Sequence, residues 1–97
     1  MLFAIFANDK DPGGLPIREA TREAHLEFVR GLGDKIKLAG PLMDDEGSYP
    51  NGTILVVEAE TIEEARSIAQ NDPYAQADLF ESVVVRAWNW TVGNPGN

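Results

Sequence analysis

One histidine, two arginines and an aspartate carry most of the chemistry this sequence offers. His25 is the chain's only histidine. It follows Arg18 and Arg22 at i, i+4, i+7 spacing, which puts all three on one helix face. Two arginines near a helix start run against the macrodipole, which favours negative groups there. They suit carboxylate, phosphate or phenolate oxygens. Exposed arginines are commonly just solvated or ion-paired, so Arg18 is expected to pair with Glu19, Glu23 or another acid. A lone histidine on a half-apolar face is commonly a packed residue, and a partner would change that reading. Asp72 can accept a hydrogen bond from one imidazole nitrogen, leaving the other free as base or acid. Its alternative role is an Asx-turn beside Pro73.

Other chemistries have less support. The chain has no cysteine, which removes disulfides, thiolate nucleophiles and Cys-based zinc sites. Ser48, Ser67 and Ser82 lack a nucleophile-elbow context. The acidic run Met43–Glu46 reads as a solvated loop, so no metal is expected there. "GLGDK" is neither a phosphate-binding loop nor a dinucleotide fingerprint, and no cofactor is expected. Sixteen acidic residues against eight basic ones leave a net charge of −8. Nucleic acid and anionic membrane surfaces, which need clustered Lys and Arg, are therefore poor partners. "MLFAIFA" lacks a basic leader region and is too short to span a bilayer. A cytoplasmic protein is expected.

The elements that must position these residues follow from pattern. Leu2 to Ala7 is an apolar run of strand length, and the Asn-, Asp-, Gly- and Pro-rich stretch after it is a loop. Pro16 suits a first helical turn. From Ile17 to about Leu32 a stripe of Ile17, Thr21, Ala24, Phe28 and Leu32, joined by His25 and Val29, predicts a helix ending at Gly31 and Gly33. "KIKLAGPLM" predicts a strand that stops at Gly40-Pro41. "TILVVEAE" predicts another. Thr61 and Glu64 form a capping-box pattern opening a helix to about Gln70, which Pro73 breaks. "ESVVVRAWNW" is the last strand. Residues 1–97 read as one domain, with 1–91 as folded core and 92–97 as a flexible tail.

The order β-α-β-β-α-β predicts an α+β, ferredoxin-like fold: a four-stranded antiparallel sheet ordered 4-1-3-2, with two helices on one face. Leu2, Ala4 and Phe6 oppose Phe3, Ile5 and Ala7, so both faces are apolar. Two helices cover one face, and a second copy of the chain is expected to cover the other. Trp88 and Trp90 are expected to pack at an interface. One sheet end gathers the glycine-rich first loop, the start of the first helix, Gly40-Pro41, Gly52-Thr53 and Asp72-Pro73. Glycines there allow close backbone approach to an anionic ligand.

Six pieces of the chain resemble the YCII-related (YciI-like) family: "MLFAIFANDK", "REAHL" at 22–26, "AGPL" at 39–42, "NGT" at 51–53, "EEARSIAQNDPY" at 63–74 and "VVVRAW" at 83–88. The resemblance implies a dimeric α/β-barrel of ferredoxin-like subunits and a pocket with a His–Asp pair. That pair would be His25 and Asp72, with Arg22, Gly40, Pro41 and Tyr74 lining the pocket. Thr53 stands where family members often show Ser, and keeps the hydroxyl. One relative acts as a dehydrochlorinase on a hydroxyquinol with a comparable pair. The expectation is a small cofactor-independent enzyme, lyase- or isomerase-like, acting on an anionic or phenolic molecule. The alternative is a non-catalytic ligand-binding dimer, a sensor or carrier, using the same pocket.

Overall fold

The computed structural model describes residues 1–96. It runs β1 (Leu2–Asp9), α1 (Gly14–Leu32), a 3₁₀ turn (Gly33–Lys35), β2 (Ile36–Met43), β3 (Pro50–Glu58), α2 (Ile62–Asn71), α3 (Pro73–Gln76) and β4 (Phe80–Trp88). The sheet order is β2-β3-β1-β4, every pair antiparallel. This is the ferredoxin-like α+β fold, with the predicted strand order.

Alternation along the two central strands builds the core. Phe3 pairs with Val57 and Ile5 with Leu55, and all four are buried against Ala65, Ile68 and Ala69 of α2. Phe28, Val29 and Leu32 of α1 pack on the same cluster. Each such aliphatic or aromatic side chain contributes roughly 1.5–3 kcal/mol when fully buried. The opposite positions form the other face, where Phe6 sits between Ile54 and Val84, and Leu2 faces Trp88.

Several boundaries differ from the pattern. The first helix starts three residues earlier than Ile17, at Gly14, after Gly13 in a left-handed conformation (φ 101°). A Cβ on Gly14 would lie 3.2 Å from the Asp9 Cβ. Glycine thus lets the start of α1 press against the end of β1, bringing Arg18 within reach of Asp9. Strand β2 does not stop at Gly40-Pro41 but runs on to Met43, with Pro41 opposite Thr53. It is an edge strand, where a missing N–H leaves no ladder bond unmade.

The second helix opens as predicted, with Thr61 Oγ1 accepting the Glu64 N–H at 3.1 Å. Glu64 Oε2 reaches back to the N–H of Glu60 at 3.2 Å, one residue beyond the usual capping-box partner. After the break at Asp72, the chain makes a further helical turn, α3, with Pro73 in its first position. The last strand runs from Phe80 to Trp88 rather than to Trp90. Trp90 leaves the strand and stacks on Trp88 at 5.4 Å. Its Nε1–H donates to the Val92 carbonyl at 2.8 Å. The tail expected over 92–97 ends at Asn97, which lies outside the described residues. Among the described residues no helix is long and apolar enough to cross a membrane.

Candidate active site

The face that α1 turns inward carries the half-buried stripe residues Phe28, Val29 and Leu32, but its most deeply buried side chains are polar. Its buried residues are Gly14, Arg18 and His25, while Ala24 of the predicted stripe is exposed. Arg18 is only 5% exposed and His25 8%. A buried charge and a buried imidazole demand partners. The ends of β1 and α2 supply them.

His25 Nδ1 lies 2.8 Å from Asp72 Oδ1. The same carboxylate oxygen accepts the Tyr74 backbone N–H at 3.0 Å, so Asp72 caps α3 while it meets the histidine. Asp72 is 2% exposed and stands behind the ring. A carboxylate can only accept, which assigns a proton to Nδ1 and leaves Nε2 for a ligand. The imidazole stacks on the Tyr74 ring, centroids 4.1 Å apart and planes 15° from parallel. Both readings of Asp72 are realised at once.

Arg18 is held as tightly. Its Nε donates to Asp9 Oδ2 at 2.7 Å and its Nη2 to Asp9 Oδ1 at 2.9 Å. Nη2 also reaches the Gly52 carbonyl and Thr53 Oγ1, each at 2.8 Å. The guanidinium carbon lies 4.5 Å from the Tyr74 ring centroid. Burial works against this charge, but the hydrogen bonds and charge of Asp9 outweigh it and raise the Arg18 pKa above its ordinary value. Burial likewise pushes the Tyr74 phenol up, an effect the adjoining Arg18 partly offsets.

Above these groups lies a cleft of about 290 Å³. Arg22, His25, Gly40, Pro41, Thr53 and Tyr74 line it, together with Arg18 and apolar side chains such as Leu26 and Val29. Of the residues expected to form the pocket, all line this cleft except Asp72, which contacts His25 from behind. Thr53 presents a hydroxyl already engaged by Arg18. Arg22 lies exposed at the rim and makes no ion pair among the described residues. Gly40 and Pro41 come from within β2 rather than from its end. The glycine-rich first loop borders a separate depression with Asp9 and Pro50.

Arg18 and Asp9 are the residues the sequence reading underrated. Pairing with an acid was expected, but neither Glu19 nor Glu23 supplies it, and the arginine is buried rather than solvated. The signal available was the i, i+7 spacing that places Arg18 on the His25 face. Among the described residues no group of three His, Cys, Asp or Glu side chains is placed to hold a metal ion.

Known proteins resemble this chain in sequence and in fold. The model of the YCII-related domain matches residues 1–89. Protein YciI of Escherichia coli O6:H1 is 34% identical over 93 residues, spanning 89% of this chain and 94% of that protein. A solved structure of 5-chloro-2-hydroxyhydroquinone dehydrochlorinase (TftG) from Burkholderia phenoliruptrix AC1100, in complex with 2,5-dihydroxybenzoquinone, superposes with a TM-score of 0.83. It shares 34% identity and covers 92% of this chain and 94% of that one. A NIPSNAP family protein from Agrobacterium tumefaciens shares the fold alone, at a TM-score of 0.57 and 16% identity over 97% of this chain and 95% of that one. By the extent of the family match and the identity to its members, the chain belongs to the YCII-related family.

Proposed function

We propose that the protein is a small, cofactor-independent enzyme in which His25 moves a proton on a small anionic or phenolic molecule bound in the cleft. The observation that carries this reading is the 2.8 Å His25–Asp72 contact at the wall of a cleft large enough for one small ring. Asp72 orients the imidazole and supports the positive charge it gains on taking a proton. Nε2 removes a proton from a substrate O–H or C–H. The electron pair so released either expels a leaving group, as in a lyase, or accepts a proton at another carbon, as in an isomerase. Arg22 and the Gly40 backbone steady the negative charge that develops on substrate oxygen. The likeness to a dehydrochlorinase structure holding 2,5-dihydroxybenzoquinone supports the lyase form and a ring-shaped substrate.

The working unit on this reading is a homodimer in the cytoplasm. The helix-free face of the sheet exposes Phe6, Leu38, Val84 and Trp88, apolar groups that a second copy would cover. A cysteine-free chain suits a reducing compartment.

The test is turnover of chlorinated hydroxyquinols and related phenols by wild type and His25→Ala. Loss of about 10²–10⁴-fold in rate, with ligand binding retained, is the expected result. Binding without turnover of any of these compounds would point instead to the sensor or carrier.

A further inference from the structure

Arg18 has more donors than the protein uses. A guanidinium carries five N–H groups, two of them on each terminal nitrogen. Nε and Nη2 serve Asp9, the Gly52 carbonyl and Thr53. Nη1 has no protein acceptor among the described residues, and the Tyr74 hydroxyl, whose oxygen the adjoining Arg18 approaches as a donor, has no acceptor for its own O–H. Yet no fully enclosed side-chain nitrogen or oxygen of the described residues lacks a partner. Neither group is therefore sealed away without a partner, although their residues are 5% and 2% exposed. The space both residues line is the cleft.

Their placement relative to His25 follows from the helix. Arg18 and His25 lie seven residues apart, about 10 Å along the axis, and each is within 4.5 Å of the Tyr74 ring centroid. The Tyr74 ring therefore meets both the imidazole and the guanidinium. The floor of the cleft runs His25, Tyr74, Arg18, with the Arg22 guanidinium on the rim.

Resting on the reading of this cleft as the substrate site, we propose that Arg18 Nη1 and the Tyr74 hydroxyl form an oxyanion subsite on the cleft floor beside His25. It takes a carboxylate or phenolate oxygen of a single-ring ligand and sets the ring so that another atom meets His25 Nε2. Asp9 fixes the guanidinium plane through two hydrogen bonds, so the donors are already aimed before the ligand arrives. Glu19, the acid on the cleft wall, is exposed and solvated, so the free groups facing the ligand at this subsite are donors. The volume of about 290 Å³ lies at the lower end of the usual range for ligand pockets. Leu26, Val29, Ala39 and Pro50 complete apolar walls.

Calorimetric titration of the intact chain at neutral pH tests this. The probes are benzoate and 2,5-dihydroxybenzoquinone, each against its uncharged counterpart, benzamide or 2,5-dimethoxybenzoquinone. Wild type should bind at least one anion more tightly than its neutral counterpart, and which anion it prefers identifies the oxygen source. Tyr74→Phe, which keeps the ring stacked on His25, should weaken the preferred anion roughly 10- to 100-fold while leaving the neutral compound unchanged. Arg18→Lys keeps a charge for Asp9 but removes Nη1, and should do the same. Equal binding of anion and neutral compound, no binding of either anion, or an unchanged affinity in Tyr74→Phe would overturn the subsite. If the anion preference is present and sensitive to Tyr74 while no turnover is found, the catalytic reading fails and the subsite stands.

Discussion

At Asp72 one carboxylate oxygen serves a helix cap and a histidine, and at Tyr74 one ring meets both an imidazole and a guanidinium. Such shared groups make the residue scale of this protein cooperative: removing either residue unsettles neighbours on both sides. Tyr74 also gives the site a readable pH dependence. Burial raises its pKa above the ordinary value of 10.0, so the folded state holds the phenolic proton more tightly than the unfolded chain does. The stability this contributes is complete below about pH 10 and is lost as pH rises through the folded-state value. The stability difference between wild type and Tyr74→Phe, followed by urea denaturation, should therefore stay constant to about pH 10. Above that it should move against wild type. A difference that moves in wild type's favour on the alkaline side would contradict the burial of the phenol.

At the scale of elements, most of the fold was legible. Apolar runs, the Thr61–Glu64 cap and the two polar loops suffice to order the elements, and pairing rules leave few topologies for β-α-β-β-α-β. What was not legible was tertiary override of local rules. Pro41 looked like a strand stop because position within a sheet is not written locally; on the edge strand it costs nothing. The turn of α3 after Pro73 is held by the Asp72 side chain, and its four residues are too few for periodicity to show. Arg22, His25, Thr53 and Tyr74, each in a distinctive short motif, all line one cleft, with Asp72 against His25. Arg18 was underrated because its acid, Asp9, comes from β1 and reaches it only through the close approach that Gly14 permits.

Gly52 makes a second such approach. A Cβ there would lie 2.6 Å from the Ala7 carbonyl oxygen and 3.0 Å from a Leu42 methyl. Gly52→Ala should therefore cost about 1–3 kcal/mol by urea denaturation, as overpacked sites commonly do. It should also disturb the cleft, since the Gly52 carbonyl accepts from Arg18. An unchanged denaturation midpoint would mean β1 and β3 can separate at that point.

On the scale of the whole molecule, one sheet face has helices and the other has none. Val84 is 48% exposed and Phe6 39%, and they are paired across neighbouring strands. The stacked Trp88–Trp90 pair lies at the β4 end of the same sheet. Exposed apolar groups such as these are costly to leave in water. Sedimentation at micromolar concentration should find a dimer, and Val84→Glu should shift it towards monomer without lowering helix content. A wild-type monomer at that concentration would remove a second copy as the cover for this face.

The central claim is that Asp72 holds His25 with its proton on Nδ1 and Nε2 free for a substrate. Because the chain has one histidine, ¹⁵N NMR of the imidazole reads this without ambiguity. Under conditions where the ring is neutral, wild type should show a protonated Nδ1 and an unprotonated Nε2, and Asp72→Ala should lose that bias. A wild-type ring carrying its proton on Nε2, or the same tautomer balance in both proteins, would contradict the account.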